Sequence, residues 1–327
     1  MKKLPVAVLA SLLFCSHVVL AQSSPDCDGS IVFDSIRSGV LDIYVVESDG
    51  SGERQLTFAS VPDDLSRVDF SRLDPREQQE LQERVDFSRV PDLSPDGNQV
   101  VFHGNRLGEG QGIYVMNCGT GEVRRIAAAV EAGGPRWSPD GRQIAFTIDP
   151  YQSGGIFIVE ADGSNVRKID RLPDRSSAPS WSPDGNQIAF VSRGAVTWEI
   201  FSIELGSGRV QQLTRTTDAR ISSQGPAWSP DGSKIAFDRV QDGNFDIYVM
   251  DADGSNVQRL TDNDKVDARP AWSPDGQRIV FHSSRDGSSD QPEPFAEYEI
   301  YVMDANGGKV DRLTTNNHFD GHPRWHR

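Results

Sequence analysis

Five times the chain returns to nearly the same ten residues. They read Leu93-Ser-Pro-Asp-Gly-Asn-Gln-Val-Val-Phe102, Trp137-Ser-Pro-Asp-Gly-Arg-Gln-Ile-Ala-Phe146, Trp181-Ser-Pro-Asp-Gly-Asn-Gln-Ile-Ala-Phe190, Trp228-Ser-Pro-Asp-Gly-Ser-Lys-Ile-Ala-Phe237 and Trp272-Ser-Pro-Asp-Gly-Gln-Arg-Ile-Val-Phe281. Successive copies start 44, 44, 47 and 44 residues apart. A fixed period of this size requires a repeat architecture, because one unit cannot bury its apolar surface without a neighbour.

Within a unit, Pro presets φ, Asp bonds its own backbone and Gly accepts a positive φ, so Ser-Pro-Asp-Gly is a tight turn. Apolar strands enter it (Pro226-Ala-Trp228) and leave it (Ile235-Ala-Phe237). A third run follows at Phe245–Met250. Asp251-Ala-Asp-Gly-Ser-Asn256 makes another turn, and Val257-Gln-Arg-Leu-Thr261 supplies a fourth strand. Four short strands bounded by turn residues make one propeller blade. Second strands end at Phe33, Phe102, Phe146, Phe190, Phe237 and Phe281, which counts six blades. The first has no Trp-bearing strand before it, and Gly321-His-Pro-Arg-Trp325 has no hairpin after it. The expectation is an all-β, six-bladed β-propeller in which the C-terminal strand completes the N-terminal blade and leaves no open edge.

Lys2 and Lys3 precede an apolar run from Val6 to Leu20, and Val19-Leu-Ala21 fits a cleavage site. Residues 1–21 therefore read as a secretory signal peptide and 22–327 as the propeller, periplasmic or secreted, with no stable membrane insertion and a monomeric state expected. A net charge of −15 repels phosphate backbones and argues against nucleic acid as a partner. Outside the leader, Cys27 and Cys118 fall at equivalent ends of neighbouring blades. They either form a disulfide, as an oxidising compartment allows, or remain two free thiols.

The period breaks twice, at about 60–88 and at 288–297. The first insertion holds one hexapeptide in two copies, Arg67-Val-Asp-Phe-Ser-Arg72 and Arg84-Val-Asp-Phe-Ser-Arg89. Between them Asp74-Pro-Arg-Glu77 reads as a helix start, with a short helix expected to about Arg84. The second insertion contains Pro292, Pro294 and Phe295. Both lie opposite the Ser-Pro-Asp-Gly turns and flank blade one. Elaborated loops on a rigid scaffold are where binding is usually placed, so Phe70, Phe87, Phe295, Arg72, Arg89 and the off-pattern Trp198 are the binding candidates. Neutral insertion is the alternative.

The position after each second-strand Phe holds Asp34, His103, Thr147, Val191, Asp238 and His282, and His318 and His322 precede the closing strand. Asp34, His103, Asp238, His282, His318 and His322 admit two readings. One is a divalent-metal or acid–base site at the channel mouth, although no pair has a local metal-motif spacing. The other is polar capping of strand ends, with no cofactor and no catalytic residue, and it is the expected one. The Asp-Gly-Ser-Asn runs at 162–165 and 253–256 lack the terminal Glu of a calcium loop in register and read as hairpin turns. The repeat-locked tryptophans read as packing between blades.

The Trp-Ser-Pro-Asp-Gly runs, Asp246-Ile-Tyr-Val-Met-Asp-Ala-Asp-Gly-Ser-Asn256 and Arg259-Leu-Thr261 together resemble the TolB-like propeller family of WD40-like repeats. The resemblance spans Ile31 to Trp325. It implies a six-bladed propeller and an envelope binding role, with a protein or glycan partner, and carries over no particular site residue. That family's α/β domain ahead of the propeller has no counterpart in the few residues before Ile31. A propeller hydrolase or lyase using the His/Asp mouth is the alternative function.

Overall fold

The structure is a computed structural model that describes residues 27, 30–38, 40–59, 86–106, 108–129, 132–148, 154–287, 297–316 and 318–326. Within them, six antiparallel four-stranded sheets follow one another in chain order. The inner strands are Phe87–Leu93, Ala132–Trp137, Ser177–Trp181, Ile221–Trp228, Asp267–Trp272 and Asp320–Trp325. The last pairs with Ile31–Ser35, matching Ile31 to Trp325 and Ser35 to Asp320. Blade one is thus built from both ends of the chain. Arg37 fastens the join by donating from Nη2 to Asp320 Oδ2 at 2.5 Å.

Each Ser-Pro-Asp-Gly turn is locked in the same way. The Ser hydroxyl donates to the Asp carboxylate two residues on, at 2.5–2.6 Å, in all five copies. In return it accepts the backbone N–H five residues on, as Lys234 N to Ser229 Oγ shows at 2.9 Å. The bond from Ser229, then that from Ser233, holds the Asp231 carboxyl down at about 2. The turns also interlock around the ring. A Cβ on Gly232 would meet Pro183 at 3.2 Å, and one on Gly276 would meet Pro230 at 3.3 Å, so only glycine, at φ 72 and 69, lets successive turns stack this closely.

The second-strand phenylalanines are fully buried, each 5.7–5.9 Å from the third-strand aromatic of its own blade, stacked on it except for the tilted Phe146–Phe157 pair. Four of these pairs lie under a guanidinium: Arg37, Arg106, Arg239 and Arg285. The tryptophans join blades, as the sequence pattern predicts. Trp181 Nε1 donates to Arg136 O and Trp272 Nε1 to Ala227 O, both across a blade boundary.

A further repeat explains the Leu-Thr that closes most units. In blades one, four, five and six, a buried acid opens the third strand and accepts the Thr hydroxyl 15 residues on. The pairs are Asp42–Thr57, Glu199–Thr214, Asp246–Thr261 and Glu299–Thr314. The same hydroxyl accepts the N–H of the residue after the acid. Burial pushes the Asp42 and Glu299 carboxyls up, and the threonine bond pulls them part of the way back. In blades two and three the acid is replaced by Gly112 and Gly155, and the threonine by Ala127 and Asp170. Acid and hydroxyl are lost together, as expected when either alone would be a buried group without its partner.

Cys27 is bonded to Cys118, with Cα atoms 5.4 Å apart, and the bridge ties the start of the propeller to blade two. The inserted helix expected after Asp74 lies outside the described residues. The end of the second hexapeptide copy, Phe87–Arg89, is not part of an insertion: Phe87–Leu93 is the inner strand of blade two.

The acid–threonine pairs and the bridge each set a stability outcome. Thr314→Ala strands part of the Glu299 carboxylate and the Ile300 N–H, and should cost about 1–3 kcal/mol in urea unfolding. Replacing both Cys27 and Cys118 by Ser reopens a link spanning 91 residues and should lower stability by about 2–5 kcal/mol in the same measurement.

Candidate functional site at the channel mouth

Every inner strand carries a residue followed by proline, with that proline two residues ahead of the repeat Trp or Leu. These residues are Val90, Gly134, Ala178, Gly225, Arg269 and His322. All six have φ between 49 and 59, and each inner strand slips register against its partner there. Such a bulge re-aims side chains and frees a backbone N–H from the ladder. In alternate blades the freed N–H crosses to the residue after the neighbouring blade's Phe. Val90 N donates to Asp34 Oδ2 at 3.3 Å, Ala178 N to Thr147 Oγ1 at 3.1 Å and Arg269 N to Asp238 Oδ1 at 3.1 Å. Six bulges thus form a collar around the channel, toward the end opposite the Ser-Pro-Asp-Gly turns.

The six His/Asp candidates meet this collar in different ways. Asp34 is fully buried and accepts His322 Nδ1 at 3.0 Å, a contact between the two halves of blade one. The His322 side chain keeps 17% of its surface exposed. His282 is fully buried, stacked on Tyr298 at 4.8 Å, with Phe319 and His322 edge-on to it. Burial drives its pKa far down, and proximity to His322, Arg269 and Arg324 pushes the same way. His103 packs edge-on to Phe87 at 5.4 Å and accepts Arg89 Nε at 3.2 Å. Burial, then Arg89, lowers its pKa to about 3. Asp238 receives the Arg269 N–H, and His318 is exposed on the loop before the closing strand. Among the described residues no three His, Cys, Asp or Glu side chains are placed to share a metal ion.

Of the binding candidates, Phe87 differs from the exposed aromatic expected. Its side chain is buried because it belongs to an inner strand, where it covers His103. Arg89 is exposed at the mouth. Trp198 is half-buried at the start of the third strand of blade four, two strands out from the channel. Phe70, Arg72 and Phe295 lie outside the described residues. Sequence reasoning missed Arg269, Arg324, Tyr298 and Phe319. The residue before each inner-strand proline was the available signal for Arg269.

On the opposite face the turns succeed one another from blade two to blade six. Blade one has no Ser-Pro-Asp-Gly turn, and His326 stands against Gly97 where a turn proline sits elsewhere. Among the described residues of this face, Ser30, Glu47, Pro274, Arg278, Trp325 and His326 line a cleft of about 520 Å³.

A family model described as the TolB β-propeller domain matches residues 53–223 and 217–327. The chain belongs to this family. Among solved structures, TolB from Acinetobacter baumannii superposes with a TM-score of 0.68 at 20% identity, covering 92% of this chain and 67% of that one. A protein assigned as TolB from Agrobacterium tumefaciens gives 0.63 at 23% identity, covering 89% and 88%. A puromycin-hydrolysing peptidase from Mycobacterium tuberculosis gives 0.54 at 15% identity, covering 89% of this chain and 54% of that one. At these identities the likeness is one of fold. Among curated proteins none matches the chain. Among the described residues of this TolB-type propeller, no helix is long and apolar enough to cross a membrane.

His103 sets a pH outcome. Its folded pKa is about 3 against an ordinary 6.5, so between these values the unfolded chain binds the extra proton and stability falls as pH falls. Above pH 6.5 the group contributes no slope. His103→Gln should flatten stability against pH between about 6.5 and 4 by up to about 1.4 kcal/mol per pH unit, measured by urea unfolding at stepped pH.

Proposed function

We propose that this TolB-family chain is a periplasmic or secreted, non-catalytic propeller that binds an envelope protein through the face carrying the insertions at about 60–88 and 288–297. The observation that carries the reading is the state of the channel mouth on that face. Its histidines and Asp34 are committed: Asp34 to His322 and the collar N–H, His103 to Arg89, and His282 to an aromatic enclosure. Such a mouth is a firm, shaped rim for docking rather than a set of groups poised on a reacting atom. The export expected from the leader agrees with the Cys27–Cys118 bridge, which persists in oxidising compartments. A protein partner is preferred to a glycan because both breaks in the period fall on one face and flank one blade, offering a broad contact area.

One observation favours a second reading. A buried carboxylate on His322 Nδ1 fixes the tautomer and orients the imidazole, which is how an acid–base histidine is held. Under that reading the chain is a propeller hydrolase or lyase.

The test compares the mature protein with a version lacking residues 63–85, each cross-linked in envelope extract. The binding reading expects one envelope protein captured by the full chain and lost with the deletion, while the thermal midpoint moves by less than about 3 °C. Equal capture by both forms would move the site off the first insertion. Hydrolysis or elimination of a peptide or glycan substrate, abolished by His322→Gln, would establish the enzymatic reading instead.

A further inference from the structure

The collar is uneven. Four of its six positions are Val90, Gly134, Ala178 and Gly225, all small or apolar. The remaining two, Arg269 and His322, come from adjacent inner strands on either side of the boundary between blades six and one. Arg324 joins them from the strand that carries His322, donating from Nη1 to Pro270 O at 3.3 Å and Pro323 O at 2.9 Å. That places its guanidinium beside the residue after Arg269. Two guanidinium groups and one imidazole thus share one sector of the channel in a protein whose net charge is −15 with histidine neutral.

Their partners are unequal. His322 has Asp34 on Nδ1, and Arg324 is held by carbonyls. Arg269 is half-buried, and only its backbone N–H is bonded, to Asp238 Oδ1. Among the described residues its guanidinium makes no hydrogen bond or ion pair. A guanidinium taken partly out of water without an acceptor is costly, and a bound anion removes that cost. The positive φ of 59 at Arg269 and the following proline fix where the side chain leaves the backbone. The other four collar positions, Val90, Gly134, Ala178 and Gly225, add no charge that would compete with it.

We propose that this sector is a carboxylate-binding site, in which Arg269, assisted by His322 and Arg324, receives the carboxylate of a peptide segment inserted into the channel mouth. A planar carboxylate matches the guanidinium fork. The fixed carboxylates of Asp34 and Asp238 border the site and leave little excess positive charge, which suits a monoanion and repels a phosphate dianion. The same cations repel a metal ion. The inference deepens the binding reading by naming what portion of a partner enters the channel. It does not depend on either insertion, so the deletion experiment and this one fail separately.

The test follows the His322 Cε1–H signal by NMR, assigned through His322→Gln, in the intact mature protein. The probes are N-acetyl-diglycine with a free C-terminus, its amide, N-acetyl-glutamate α-amide with only the side-chain carboxylate free, and inorganic phosphate. The expected result is a saturable shift with at least one free carboxylate, none with the amide, and binding weakened about tenfold or more in Arg269→Gln. Whichever carboxylate binds more tightly tells a C-terminus from an acidic side chain. Arg269→Lys should recover some of the loss, which separates charge from a fold defect, and circular dichroism confirms that both variants are folded. Equal shifts by acid and amide, tighter binding of phosphate than of carboxylate, no saturable shift, or an unchanged affinity in folded Arg269→Gln would overturn the proposal.

Discussion

A four-stranded blade has two apolar faces and no means of covering either one alone. Everything else in this molecule depends on that constraint. Phe102 and Tyr114 of blade two sit in one cluster with Val32 and Ile43 of blade one, and Trp137 joins Val101 of blade two to Ile144 of blade three. Removing one blade would expose the faces of two others. The ring must therefore close, and the short pairing of Asp320–Trp325 with Ile31–Ser35 carries that requirement for all six. The interlocked Pro and Gly of successive turns, and the tryptophan bonds across boundaries, set the angle at which neighbours meet.

Much of this was legible because it is written in period and turn chemistry. The 44-residue step, the Ser-Pro-Asp-Gly hairpins and the unpaired Trp325 led directly to the blade count and its closure, since each rests on local sequence. The acid–threonine pairing was equally open to reading. Asp246 and Thr261 stand 15 apart, as do Glu299 and Thr314, and the Gly112–Ala127 exception confirms the coupling. The mouth was harder. Side-chain direction in a strand is read from strict alternation, and the bulges at Val90, Arg269 and His322 break it. No count of residues along the inner strand could show that His322 turns to Asp34 while His282 is enclosed by Tyr298 and Phe319. Phe87 misled for another reason. Its hexapeptide occurs twice, so the second copy reads as insertion, although it is the entrance to an inner strand.

The two ends of the channel hold their charges in different ways. Around the turns, Asp96, Asp140, Asp184, Asp231 and Asp275 are each held in the charged form by a serine. Toward the other end stand Arg89, Arg269 and Arg324 and the guanidinium caps of Arg37, Arg106, Arg239 and Arg285, interleaved with the buried carboxylates of Asp34, Asp238, Asp267 and Asp320, of which Asp320 pairs with Arg37 and Asp267 with Arg285.

The Cys27–Cys118 bridge gives the ring a direction under load. Tension on the N-terminal end reaches a covalent link into blade two and goes no further. Tension on the C-terminal end falls on Asp320–Trp325, an edge held to Ile31–Ser35 by hydrogen bonds and to Arg37 by one ion pair. Those bonds lie across the inner strand and break in succession as it is peeled back. A partner that pulls on the N-terminal end would find a propeller that holds, and a partner that pulls on the C-terminal end would find one that opens like a clasp.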